Sequence, residues 1–251
     1  MRGQQAPPAY PHGELQELFD DVFFVTGSAR MPGPLPIRFS RNMVVIRQGE
    51  SLVLVNSCRL DDAGLEQLDA LGKVEHVVRL AGFHGMDDPF YKARYDAKVW
   101  AVRGHVYAPG FSNTKTEPGD GYFEPDALMD EDSELPIDGA SLVTFDCRAG
   151  EGILRLDRDG GILIAGDSLQ NWATADAYFS LLGKVIMRVM GFLQPHNVGP
   201  GWLREAKPKP EEIRAILDLD FAHVLPVHGG AVIGGAKDKF RPAIERAAAA
   251  G

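Results

Sequence analysis

Two short apolar runs, each ending on a side chain that can hold a metal or a proton, constrain this chain most. Ile162, Leu163, Ile164 and Ala165 lead through Gly166 to Asp167, and Val224, Leu225, Pro226 and Val227 lead to His228 with Gly229 and Gly230 behind it. An apolar run of that length bounded by turn residues has the form of a fully buried strand, and Gly166 lets the backbone turn sharply at the strand end. Taken alone, Asp167 reads as an N-cap, since Asp commonly caps a following segment and Ser168 comes next. The second strand ending on His228 supports a different reading, in which two strand ends share one pocket.

The remaining pattern is that of a mixed α and β chain. Met43 to Ile46 and Leu52 to Val55 flank a turn at Gly49 and predict a β-hairpin. Leu60, Leu65, Leu68 and Leu71 then recur at helical spacing, with Asp61 and Asp62 where the helix dipole favours anions and Gly72 as the stop. Val74, Val77 and Val78 predict a strand that leads into Gly82, Phe83, His84, Gly85, Met86, Asp87 and Asp88. Ligands usually sit beyond strand ends in such a βαβ rhythm, which makes His84 a third candidate. Ile153 to Leu156 should pair with Ile162 to Ala165 across Asp159, Gly160 and Gly161, and Cys147 stands at a further strand end.

Residues 1–20 are expected to form an extended arm and residues 21–251 one domain. Long loops are expected over 104–139, which includes His105, and over 194–210. The apolar stripe within 176–192 is expected to pack into the core.

Composition excludes several classes of partner. The formal net charge is -9 and the 26 Lys and Arg residues are scattered, so no surface for nucleic acid is expected, and a small-molecule partner is. Two cysteines make no disulfide framework and the N-terminus lacks an apolar signal core, which together point to a cytoplasmic setting. The longest apolar stretch, near Leu181 to Phe192, is broken by Lys184 and Arg188, so no membrane partner is expected.

In their order along residues 21–230, the segments RNMVVIRQGESLVLVNS, GFHGMDD, DCRAGEGILRL, GGILIAGD and VLPVHGG resemble the metallo-β-lactamase fold superfamily. The resemblance implies an α+β, four-layered αββα sandwich with two mixed sheets face to face and a site at one edge. Members bind one or two zinc or iron ions, and most hydrolyse esters, amides, thioesters or phosphodiesters. Their signature His-x-His-x-Asp-His, laid on this chain, finds Gly82, His84, Met86 and Asp87, with Asp88 reached by a shift of one residue. The next family His falls on Cys147, the bridging Asp on Asp167 and the last His on His228.

These matches imply metal ligands at His84, Cys147, Asp167 and His228, with Asp87 or Asp88 positioning a water. Zinc takes about four ligands, so the eroded set suffices for one zinc or iron ion at most. The implied activity is that of a mononuclear metal-dependent hydrolase acting on a small ester, amide, thioester or phosphoester. The alternatives are a metal-free protein that binds a small ligand on the same fold and an iron-dependent oxidoreductase. Phe90, Tyr91, Trp172 and Trp202 either line the pocket or pack in the core.

Overall fold

The computed structural model describes residues 8–31, 35, 37–104 and 124–250. The chain begins with β1 (Gln16–Phe19), β2 (Val22–Arg30), β3 (Arg38–Gln48) and β4 (Ser51–Val55), followed by α1 (Asp62–Leu71), β5 (Lys73–Arg79), α2 (Asp88–Tyr95), β6 (Lys98–Val102) and β7 (Ala127–Met129). β8 (Ala140–Phe145), β9 (Glu151–Leu156), β10 (Ile162–Ala165), β11 (Leu169–Gln170), α3 (Leu181–Val189), β12 (Asn197–Val198) and α4 (Pro200–Glu205) come next. α5 (Pro210–Ala215), β13 (His223–Pro226) and α6 (Ala236–Ala250) complete it.

Strands β1 to β7 form one sheet in sequence order, antiparallel as far as β4 and parallel from there on. A second mixed sheet has the order β13-β10-β9-β8, with only the β13–β10 pair parallel.

Side-chain alternation then fixes the layers. Successive residues of a strand point to opposite faces, and here both faces are apolar. Val44, Ile46, Val53, Val55 and Val78 of the first sheet meet Leu154, Leu156, Ile162, Ile164 and Leu225 of the second in the central core. The intervening residues Met43, Val45, Leu52 and Leu54 face Leu65 and Leu68 of α1 and Tyr91 of α2. On the far side, Ile153, Leu163 and Val224 face Trp202 of α4, Ile213 of α5 and Phe240 and Ile244 of α6. The result is the four-layered αββα sandwich. The hairpin turns at Gly49, and α1 starts at Asp61, whose side chain accepts from Gly64 N–H, and stops at Gly72.

Four expectations change. Part of the stretch expected to be an arm, Gln16–Phe19, is an edge strand paired with β2. The 104–139 stretch contains β7, because Ala127 to Met129 can extend the parallel edge beside β6; His105 and the rest of 105–123 lie outside the described residues. The 194–210 stretch contains α4, nucleated by Pro200 at its first turn and anchored by buried Trp202. The stripe within 176–192 does not sink into the core: α3 buries only Gly183 and Met187 and turns Leu181, Val185 and Val189 to solvent. No described helix is long and apolar enough to cross a membrane.

Candidate metal centre

Parallel pairing sets two of the candidate ligands side by side. Ala165 of β10 is in register with Pro226 of β13, so Asp167 and His228 each stand the same distance beyond a paired position. His84 follows β5 in the other sheet. It is drawn across by the Ala81–Glu151 bridge and by Gly82 N–H donating to the Gly150 carbonyl at 3.1 Å. Gly166 sits where these strand ends meet. A Cβ there would lie 2.6 Å from the Ala81 Cβ, so any side chain would force the ends apart.

The three side chains converge. Asp167 Oδ2 lies 3.1 Å from His84 Nε2, and Oδ1 lies 3.2 Å from His228 Nε2. Among the described residues, His84, Asp167 and His228 form the group whose ligand atoms all fall within 4.8 Å of one another. All three are buried. Burial alone would push the Asp167 carboxyl up, but the two imidazoles hold it well below the usual carboxylate range. For His84, burial pushes the ring's pKa down against the pull of Asp167.

The arrangement fits a cation. His228 Nδ1 is 3.0 Å from the Ser40 carbonyl, an acceptor only, so Nδ1 carries a proton. This is the outer hydrogen bond that metal-ligating histidines commonly make. In the neutral ring, Nε2 then turns a lone pair toward Asp167 Oδ1, an approach relieved by a cation between them. His84 Nδ1 is buried with no hydrogen-bond partner, and a buried polar atom without a partner is costly. Two imidazoles and a carboxylate suit zinc or ferrous iron.

The other expected site residues go elsewhere. Asp87 forms a buried ion pair with Arg41, and its Oδ2 accepts from Arg59 N–H at 2.8 Å. Asp88 accepts from Ser57 Oγ at 2.6 Å and pairs with Arg79 Nε at 3.1 Å. Neither carboxylate joins the three-residue group. Cys147 is also outside it, on a depression lined by Arg103, Asp130, Asp146 and Glu212. Its thiol is pushed up to about 11 by burial and then by the charge of Glu151.

The site also contains Glu151 and Asn42, which the sequence did not single out, and Trp172, which it offered as a pocket or core residue. Glu151 lies beside Asp167, accepts from Ser168 N–H, and is fully buried. Burial and the neighbouring Asp167 charge hold its carboxyl well above the ordinary range. Asn42 donates from Nδ2 to the Pro226 and Gly229 carbonyls at 2.8 and 2.6 Å, pinning the turn around His228. Trp172 covers the His228 ring at a centroid distance of 4.4 Å and donates from Nε1 to Ser40 Oγ at 2.8 Å. Trp202 packs away from the group, against Phe145. A charged residue directly before an apolar run, as in EGIL and RNMVVI, is the sequence signal for Glu151 and Arg41.

No family model matches the sequence, and no curated protein is similar to it in sequence. Solved structures are similar in fold. The metallo-β-lactamase FIM-1 from Pseudomonas aeruginosa in its mono-zinc form superposes with a TM-score of 0.60 at 14% identity, over 97% of this chain and 99% of that one. VMB-1 gives 0.61 at 14% identity, over 94% and 97%. The metallo-β-lactamase from Hirschia baltica gives 0.56 at 15% identity, over 94% and 96%. Agreement over nearly the whole length of each chain, on the layer order built above from side-chain alternation, shows that this protein has the metallo-β-lactamase fold.

Proposed function

We propose that this protein is a mononuclear metal-dependent hydrolase of a small ester, amide, thioester or phosphoester, with one zinc or iron ion held by His84, Asp167 and His228. The observation that carries the proposal is the convergence of three buried ligand atoms within 4.8 Å at the ends of three strands. Gly82 and Met86 occupy positions where the family signature has ligands, which limits the set to one ion. The mono-zinc form of FIM-1 is a precedent on this fold for a single ion.

When bound, such an ion polarises a carbonyl or phosphoryl oxygen and lowers the pKa of a water molecule. The chain's own residues prepare the site for this. Ser40 fixes the His228 tautomer, Asn42 holds the backbone on which His228 stands, and Trp172 shields the imidazole from bulk water. Asp87 and Asp88, neutralising Arg41 and Arg79, anchor the turn that carries His84.

The test is turnover of chromogenic ester, thioester, amide and phosphodiester substrates by protein loaded with zinc or with iron. Hydrolysis of one class is expected, falling to background in Asp167→Ala while the unfolding free energy of the apo variant stays within about 1–2 kcal/mol of apo wild type. Loaded protein that turns over none of the four would refute the proposal. A second reading, a metal-free binding protein, is favoured by one feature: His228 Nε2 and Asp167 Oδ1 are 3.2 Å apart, a hydrogen-bonding distance that needs no cation between them. Protein that takes up neither metal when both are supplied would favour that reading.

A further inference from the structure

Helix α3 is amphipathic in the reverse sense. Gly183 and Met187 face inward, and Ser180 N–H donates to the Arg38 carbonyl at 3.1 Å, fixing the helix against β3. The opposite face carries Leu181, Val185 and Val189, one turn apart, at 84%, 60% and 82% exposure, with Leu182 and Met190 beside them. A contiguous apolar face of this kind is rare on a surface that meets only water.

The charge around the face identifies its occupant. Residues 22–49 and 177–204 contain no Asp or Glu, although the chain as a whole is at -9. These two segments meet where α3 packs on β3, and they supply Arg30, Arg38, Lys184 and Arg188 around the apolar stripe. None of these four makes an ion pair among the described residues. Leu35, exposed on the β2–β3 connection, adds a further apolar side chain close in sequence to Arg38. A second copy of the chain would set these cations against one another in a self-complementary contact with no carboxylate in the patch. An anionic lipid surface matches both the apolar stripe and the basic rim.

We propose that α3 docks this protein on anionic membranes, with Leu181, Val185 and Val189 entering the interface and Lys184, Arg188, Arg30 and Arg38 meeting lipid headgroups. Interfacial binding requires no spanning segment, only an apolar helix face flanked by basic residues. The inner face of α3 shares a cluster with Trp172, Phe179 and Phe192, and Trp172 covers His228. Docking therefore brings the candidate metal centre close to the lipid. The proposal holds whether or not that centre binds an ion.

The test is co-sedimentation of the full chain with vesicles of phosphatidylcholine alone and of phosphatidylcholine containing roughly one-third phosphatidylglycerol. Pelleting with the anionic vesicles, weakened by added salt, is the expected result. Lys184→Gln and Arg188→Gln should each weaken binding about fivefold, the factor equivalent to about 1 kcal/mol per basic residue at a charged surface. Leu181→Ser combined with Val185→Ser should abolish it. These side chains are exposed, so the denaturant midpoints of the variants should match wild type, which separates loss of docking from loss of fold. Protein that stays in the supernatant with both vesicle types would overturn the proposal, as would binding indifferent to all of these variants. A dimer in solution that Val185→Ser dissociates would overturn it in favour of a second copy.

Discussion

Replacing Asp87 by Ala should cost folding stability on a scale that separates an anchoring role from a role confined to chemistry. Asp87 Oδ2 neutralises Arg41 and accepts from Arg59 N–H, and the Arg41 and Asp87 side chains are 2% and 6% exposed. The variant leaves the guanidinium buried without its counter-ion, and Arg41 Nε and Nη1 already lack partners. Breaking a buried pair from one side costs about 3–5 kcal/mol. A chain of this length has a urea m-value near the upper end of about 1–3 kcal/mol/M, so the midpoint should fall by about 1–2 M. Urea titration followed by tryptophan fluorescence measures it. In chelator the loss reports the broken pair alone, and in metal-loaded protein it should be at least as large, because Asp87 anchors the turn that carries His84. Adding Arg41→Met to Asp87→Leu should recover most of it, leaving the unpaired Arg59 N–H. A loss below about 1 kcal/mol in Asp87→Ala would refute the anchoring role.

Glu151→Gln should stabilise the protein increasingly as pH rises. The Glu151 pKa is raised in the folded state, so the stability of its protonated form is fully present below the unfolded pKa and is lost as pH rises toward and through the folded one. Midpoints of wild type and variant that differ equally at pH 5 and pH 8 would contradict this. Cys147, with its thiol at about 11 and its sulfur outside the ligand group, should react slowly with thiol reagents at neutral pH, at a rate unchanged by chelation. Acceleration by chelator would return Cys147 to the metal site.

Much of the frame was legible because it follows from local rules. The Gly49 hairpin, the Asp61 and Gly72 boundaries of α1 and the β9–β10 pairing each depend on nearby residues. Asp167 and His228 were legible because a buried strand closed by glycine and a polar residue is a local signature. Their meeting needs the parallel register of β10 with β13, which resemblance implied and the strands supply. The Arg41–Asp87 pair and the contact of Glu151 with Ser168 join residues distant in the chain, so no local pattern reveals them. Periodicity located the stripe on α3 but could not say which side of the helix the core lies on. That depends on Gly183 allowing close approach to the Arg38 carbonyl, a contact visible only in three dimensions. Cys147 matched by order along the chain, whereas ligation depends on convergence in space.

The most direct test of the metal-centre account is elemental analysis of the protein purified without chelator and after zinc or iron supplementation, alongside Asp167→Ala and His228→Ala. About one ion per chain is expected in wild type. Both variants should bind none, while their apo unfolding free energies stay within about 1–2 kcal/mol of apo wild type. Two tightly bound ions per chain would contradict the account, as would none after supplementation, or variants that still retain the ion.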